Sequence, residues 1–168
     1  MLVENGLRVL WLARTGWMQS GIPPSLAETV SQHTFLASLI ALDLFNKMRN
    51  IGKKIDENVA LKMIILHDLA EGLSGDLPKW TSERISKEEL EEEALSKIKL
   101  PEDLAEVVRE YMRMETLEAK VARLADLMAT WRMAIYYKQL GFETDDIMNS
   151  SQRESIKLAK EIGIYEED

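Results

Sequence analysis

The chain has 168 residues, 46% hydrophobic and 30% charged, a size and balance that fit one domain burying a single sizeable core. It contains no cysteine, which excludes disulfides and cysteine-bound zinc, so any metal must rest on histidine and carboxylate. A net charge of −8 disfavours nonspecific binding to nucleic acid polymers and to anionic membranes.

The opening Met1-Leu-Val-Glu-Asn5 lacks the basic flank and cleavage pattern of a signal peptide. No apolar run approaches the roughly 20 residues that span a bilayer, so a cytoplasmic protein is expected. Apolar spacing follows the helical period almost throughout and predicts an all-α fold of about six or seven helices. A first helix covers Leu2 to Arg14, and the Gly/Pro-rich stretch from Gly16 to Ala27, with Pro23-Pro24, reads as a loop. The next helix begins near Thr29 and carries the stripe Val30, Leu36, Ile40, Leu44 and Met48. Asp56 N-caps a third helix, bearing Val59, Met63, Ile64 and Leu66, that ends in the turn from Gly72 to Pro78. Ser86 and Glu89 resemble a capping box opening an acidic helix, and Pro101 followed by Glu102-Asp103 opens another. The segment from Leu117 to Leu140 places Val121, Leu124, Ala125, Met128, Trp131 and Ile135 on one side and stops at Gly141. A last helix runs from about Thr144 to Ile162. No repeat, low-complexity tract or linker divides the chain, so residues 1–168 read as one compact helical domain.

Of the two histidines, His67 is followed directly by Asp68 within the apolar segment from Leu61 to Glu71. Such polar groups are costly among apolar neighbours unless compensated, and a divalent cation compensates them well. Successive helix positions differ by about 100°, so His67 and Asp68 converge on one ion only if it lies between their faces. Other helices must then supply further ligands. His33 lies four residues into its helix beside the apolar face, and Asp126 interrupts the apolar side of a later helix. Singly, each is more often a hydrogen-bonded core or solvent-edge group; it is their joint occurrence that points to metal.

Glu71 falls four residues after His67 and three after Asp68, on the same side of a continuing helix, and is the acid–base candidate. Asp76, in the turn Gly75-Asp-Leu-Pro78, is the second, although Asp in turns usually bonds its own backbone. The Arg14 guanidinium can fork two phosphate oxygens, and Lys79 is a weaker phosphate candidate. Trp17 can stack on a base or sugar, against the plainer reading of a core side chain. The acidic run from Lys87 to Glu93 reads as a solvated face, and the other tryptophans and methionines read as core.

The order His33, His67-Asp68, Asp126 resembles the H…HD…D signature of the HD-domain superfamily, all-helical metal-dependent phosphohydrolases. Arg14-Thr-Gly-Trp17, Glu28-Thr-Val-Ser-Gln-His33, His67-Asp-Leu-Ala-Glu71 and Gly75-Asp-Leu-Pro78 together resemble the HD-domain 5'-deoxynucleotidases, which hydrolyse deoxyribonucleoside 5'-monophosphates. The resemblance runs from Arg14 to about Asp126 and leaves the last forty or so residues without a motif. It implies His33, His67, Asp68 and Asp126 as metal ligands, Glu71 and Asp76 as catalytic groups, and Arg14, Trp17 and Lys79 as substrate contacts. It also implies a divalent cofactor, Co2+ or Mn2+ ahead of Zn2+, Ni2+, Fe2+ or Mg2+, together with a small-molecule nucleotide substrate and a homodimer. One departure stands out: the family commonly has a second arginine after the tryptophan, where this chain reads Met18-Gln-Ser-Gly-Ile22. Other HD-type chemistry, on nucleoside triphosphates or cyclic nucleotides, and a nonenzymatic metal-stapled binding module are the alternatives. The absence of H-E-x-x-H, Walker, dinucleotide-binding and EF-hand motifs removes several other classes.

Overall fold

A computed structural model describes residues 2–165, apart from the side chains of Lys87 and Glu88. Its helices are α1 (Leu2–Val9), α2 (Thr15–Gln19), α3 (Val30–Asn50), α4 (Glu57–Leu66), α5 (Glu71–Ser74), α6 (Lys79–Ser82), α7 (Lys87–Ile98), α8 (Glu102–Arg113), α9 (Leu117–Gln139) and α10 (Asp145–Glu161). The described residues form no strand, only an isolated antiparallel bridge between Ala13 and Thr29. The all-α expectation holds. The seven helices of eight residues or more match the expected number, and α2, α5 and α6, of four or five residues each, are additions.

Helix α9 is the axis of the molecule and packs against α3, α4, α8 and α10. Its buried face is built from Ala119, Ala122, Ala125 and Ala129, whose small side chains let neighbouring helices approach closely, with Val121 and Leu124 between them. Ala37, Ala41, Phe45 and Met48 of α3 and Ala60, Met63 and Ile64 of α4 complete this core. A second cluster joins Val9, Val30, Leu66, Leu69, Leu95 and Val108, and a third sets Trp17 and Ile22 against Ala134 and Tyr137.

Local chemistry explains most boundaries. Thr29 and Gln32 form a reciprocal capping box at the start of α3, Asp56 accepts from Val59 N at α4 (3.1 Å), and Thr116 accepts from Ala119 N at α9 (3.2 Å). Ser86 makes no side-chain capping bond, so the expected box with Glu89 does not form. Helix α1 stops at Val9, short of Arg14, because the following backbone finds partners elsewhere. Val30 N donates to Leu12 O and Arg14 N to Glu28 O, each at 2.9 Å, tying this stretch to the strap before α3. The third expected helix ends at Leu66, and residues 67–70 turn before α5. Among the described residues no helix is long and apolar enough to cross a membrane.

Candidate metal centre

Three long helices deliver polar side chains to one buried point. His33, on the first turn of α3, is fully buried; Asp126 comes from the middle of α9 and is 6% exposed; His67 and Asp68 follow the last turn of α4. His33 Nε2 lies 2.8 Å from Asp126 Oδ1, and His67 Nε2 lies 3.0 Å from Asp68 Oδ2 and 3.9 Å from Asp126 Oδ1. One donor atom each from His33, His67 and Asp68 falls within 4.8 Å of the other two. Asp126, outside that trio, lies beside both imidazoles.

These residues fit a divalent cation. His67 Nδ1 donates to Ile64 O at 2.6 Å, which fixes the ring and directs Nε2 toward the carboxylates. Nε2 is buried and makes no aligned hydrogen bond, although Asp68 is close enough to pair with it electrostatically. Two imidazoles and two carboxylates form a mixed nitrogen and oxygen set suited to first-row divalent metals. Without the ion, burial alone would lower the His67 pKa, but Asp68, Asp126 and the Ile64 carbonyl outweigh it and raise the value to about 9. Burial pushes the Asp68 carboxyl up, and the neighbouring His67 overrides this and holds it at about 2. Burial acts on Asp126 in the same upward sense, yet Arg123, His33 and His67 hold it well below the usual carboxylate range.

The centre floors a cleft of about 430 Å³. Arg14 enters it from the stretch preceding α2, with Nη1 3.3 Å from Glu28 Oε2, 3.1 Å from His33 Nδ1 and 3.4 Å from Thr130 Oγ1. Burial opposes the Arg14 charge, but Glu28, Asp68, Asp126 and Asp76 more than restore it, so the guanidinium stays cationic. Trp17 is 2% exposed, its ring 5.1 Å from that of Tyr137 and its Nε1 donating to Glu28 Oε2 at 3.0 Å. It is therefore a buried wall of the cleft, with most of its ring turned to core. Glu71 lines the cleft from the start of α5, beyond the turn rather than on a continuous helix with His67. Asp76 accepts from Thr15 N through Oδ2, and its carbonyl accepts from Thr15 Oγ1 at 2.9 Å, so it anchors the first turn of α2 at the cleft edge. Lys79 stands at the mouth, 2.8 Å from Glu154 of α10.

Several lining residues were not singled out from sequence. Arg123 pairs with Asp126 at 2.5 Å and approaches Glu154 at 3.9 Å. Its position three residues before Asp126 on one helix was a usable signal. Thr130, one further turn along α9, also reaches the cleft, as do Ile147, Ser151 and Glu154 of α10. Glu89, Glu92 and Glu93 of the acidic run are exposed on α7, away from this site.

A family model described as HD domain matches residues 11–163. The 5'-deoxynucleotidase HDDC2 of Dictyostelium discoideum is 30% identical over 139 residues, 76% of this chain and 71% of that protein. The 5'-deoxynucleotidase hdd1 of Schizosaccharomyces pombe is 32% identical over 128 residues, 67% of this chain and 59% of that one. Among solved structures, a conserved hypothetical protein from Pyrococcus furiosus superposes with a TM-score of 0.86 at 28% identity, covering 96% of this chain and 92% of its own. The PH0347 protein of Pyrococcus horikoshii OT3 superposes with a TM-score of 0.80 at 30% identity, covering 95% of each chain.

Proposed function

This chain belongs to the HD-domain family, and from that premise we infer that it is a metal-dependent 5'-deoxynucleotidase. It would release phosphate from deoxyribonucleoside 5'-monophosphates. The observation that carries the reading is the convergence of His33, His67, Asp68 and Asp126 beneath an open cleft that also holds Arg14 and Glu71. The relatives named 5'-deoxynucleotidase support the choice of substrate class.

In this proposal His33, His67, Asp68 and Asp126 hold the ion. A bound divalent cation supplies positive charge for the phosphoryl oxygens and makes a water acidic enough to attack near neutral pH. Arg14 forks the phosphate and keeps it in line for that attack. Glu71 takes the proton of the attacking water. Asp76 uses Oδ2 to hold Thr15, and with it Arg14 and Trp17; its other oxygen would pass the proton that Glu71 takes from water on to the leaving 5'-oxygen, or accept from a sugar hydroxyl. Trp17 walls the nucleoside side, and Lys79 adds positive charge at the mouth. Co2+ or Mn2+ is the proposed activating ion, and residues 1–168 are treated as one catalytic domain.

A homodimer and a cytoplasmic setting belong to the same proposal. Exposed apolar side chains do occur on α1, at Val3 and Leu7, and also on α3, at Phe35, Leu39 and Leu42, whereas among the described residues α10 presents no large exposed hydrophobic residue.

The test is phosphate release from all common ribo- and deoxyribonucleoside 5'-monophosphates, with triphosphates and cyclic nucleotides alongside, in metal-free buffer and after adding Mn2+, Co2+, Mg2+ or Zn2+. Metal-dependent release from deoxyribonucleoside monophosphates is expected. Preference for another phosphate class would keep the metal centre and change the substrate, and no release with any metal would leave a binding module.

A further inference from the structure

Glu28 is a buried carboxylate that the proposed hydrolysis does not use. It sits on the strap before α3 and is 1% exposed. Its Oε2 accepts from Trp17 Nε1 at 3.0 Å and Arg14 Nη1 at 3.3 Å and stands 3.8 Å from His33 Nδ1. Its Oε1 is buried without a hydrogen-bond partner. Its own N–H donates to Tyr137 Oη at 2.7 Å, and that hydroxyl donates to Leu26 O at 2.8 Å, so the strap is held in place. Burying an incompletely satisfied carboxylate is costly, and an amide would serve Trp17 equally well.

The imidazole of His33 supplies a reason for the charge. Its Nε2 faces Asp126 on the metal side of the ring. To give the Nε2 lone pair to a cation, the ring must carry its proton on Nδ1, and that N–H then needs an acceptor. Arg14 Nη1, 3.1 Å from Nδ1, is a donor and cannot serve. Glu28 Oε2 is the acceptor at hand. The contacts as they stand suit the opposite tautomer, in which Arg14 donates to Nδ1 and Nε2–H donates to Asp126 Oδ1 at 2.8 Å.

We propose that Glu28 is the positioning carboxylate of the metal centre: its Oε2, 3.8 Å from His33 Nδ1, closes on that nitrogen and accepts its proton when Nε2 holds the ion. No net proton is taken up in the His33 ring; it moves from Nε2 to Nδ1. The inference rests on the metal reading of the preceding subsection, and its test does not need turnover.

With only two histidines in the chain, 15N-detected imidazole spectra can be read ring by ring. In the wild-type protein loaded with Zn2+, a diamagnetic probe, His33 is expected to carry its proton on Nδ1; in the metal-free protein the proton sits on Nε2. Glu28→Gln keeps the size and the Trp17 contact but weakens the acceptor, and is expected to raise the Zn2+ dissociation constant by about 10–100-fold. A Zn2+-loaded His33 without a proton on Nδ1 overturns the proposal. So does a Glu28→Gln protein that melts lower without metal yet binds Zn2+ as tightly as wild type, because that is what a merely structural Glu28 would do. Wild-type protein that binds none of Zn2+, Co2+ and Mn2+ would remove the metal reading and this inference with it.

Discussion

The two nitrogens of His67 have separate tasks: Nδ1 is spent on the Ile64 carbonyl, and Nε2 faces the carboxylates. In the metal-free protein the His67 pKa is raised to about 9. A raised folded value means that the stabilisation is complete below the unfolded histidine value of about 6.5 and is lost as pH climbs through the folded one. The full difference is on the order of 3 kcal/mol, or roughly 6–12 °C in melting temperature for a chain of this size. Metal-free protein should therefore melt lower at pH 9.5 than at pH 6, referenced to His67→Asn to cancel other titrating groups; equal differences at the two pH values would contradict the pairing. Metal affinity should rise over the same window, because proton and ion compete for Nε2. Asp68→Ala should lose both metal and turnover. Glu71→Ala should keep the metal and lose about 10²–10⁴-fold in kcat, and unchanged kcat would remove its catalytic role. At this scale the sequence pointed to His33, His67, Asp68 and Asp126 through their joint order, which resembles the family signature, and the fold brings these four side chains together. Glu28 and Arg123 were harder to read, since an acidic residue before a helix and a cation on one are ordinary surface features until the fold buries or aims them.

Among the elements, α3, α4 and α9 were legible because each opens on a capping side chain and keeps its apolar period. Thr116→Ala should cost about 1 kcal/mol, or roughly 2–4 °C, with unchanged turnover. The end of α1 was not legible, because Glu28 of the strap and Val30 at the start of α3, not a local stop signal, take the backbone partners beyond Val9. The α5 to α6 link turns at Gly75, whose φ of 80° and ψ of 159° suit glycine alone and bring Asp76 back to Thr15. Asp76 thus anchors α2 in addition to any chemical role. Asp76→Asn separates the two functions: its amide oxygen still accepts from Thr15 N, so KM should hold while kcat falls about 10²-fold. A rise in KM alone would make Asp76 an anchor only.

For the whole molecule, the overall charge of −8 extends into the cleft, where Arg14, Lys79 and Arg123 stand among Asp68, Glu71, Asp76, Glu83, Asp126 and Glu154, so a phosphorylated substrate would need the positive charge of a bound cation as well. The last forty or so residues carried no motif, yet α10 packs along α9 and brings Ile147, Ser151 and Glu154 to the cleft. Nothing in their spacing foretold this, since only tertiary packing decides which face of α10 meets the cleft. Because the proposed ion would join side chains from α3, the end of α4 and α9, its binding should stabilise the whole fold. A free metal concentration 100 times the dissociation constant should add about 2.7 kcal/mol, or roughly 5–11 °C, and chelation should reverse the shift. The most direct test of the account is to titrate metal-free protein with Mn2+ or Co2+ and follow bound ion and phosphate release from deoxyribonucleoside 5'-monophosphates in the same samples. The account predicts release that rises in proportion to bound ion in the wild-type protein and is lost, together with binding, in Asp68→Ala. Release without bound ion, or full release by Asp68→Ala, would contradict it.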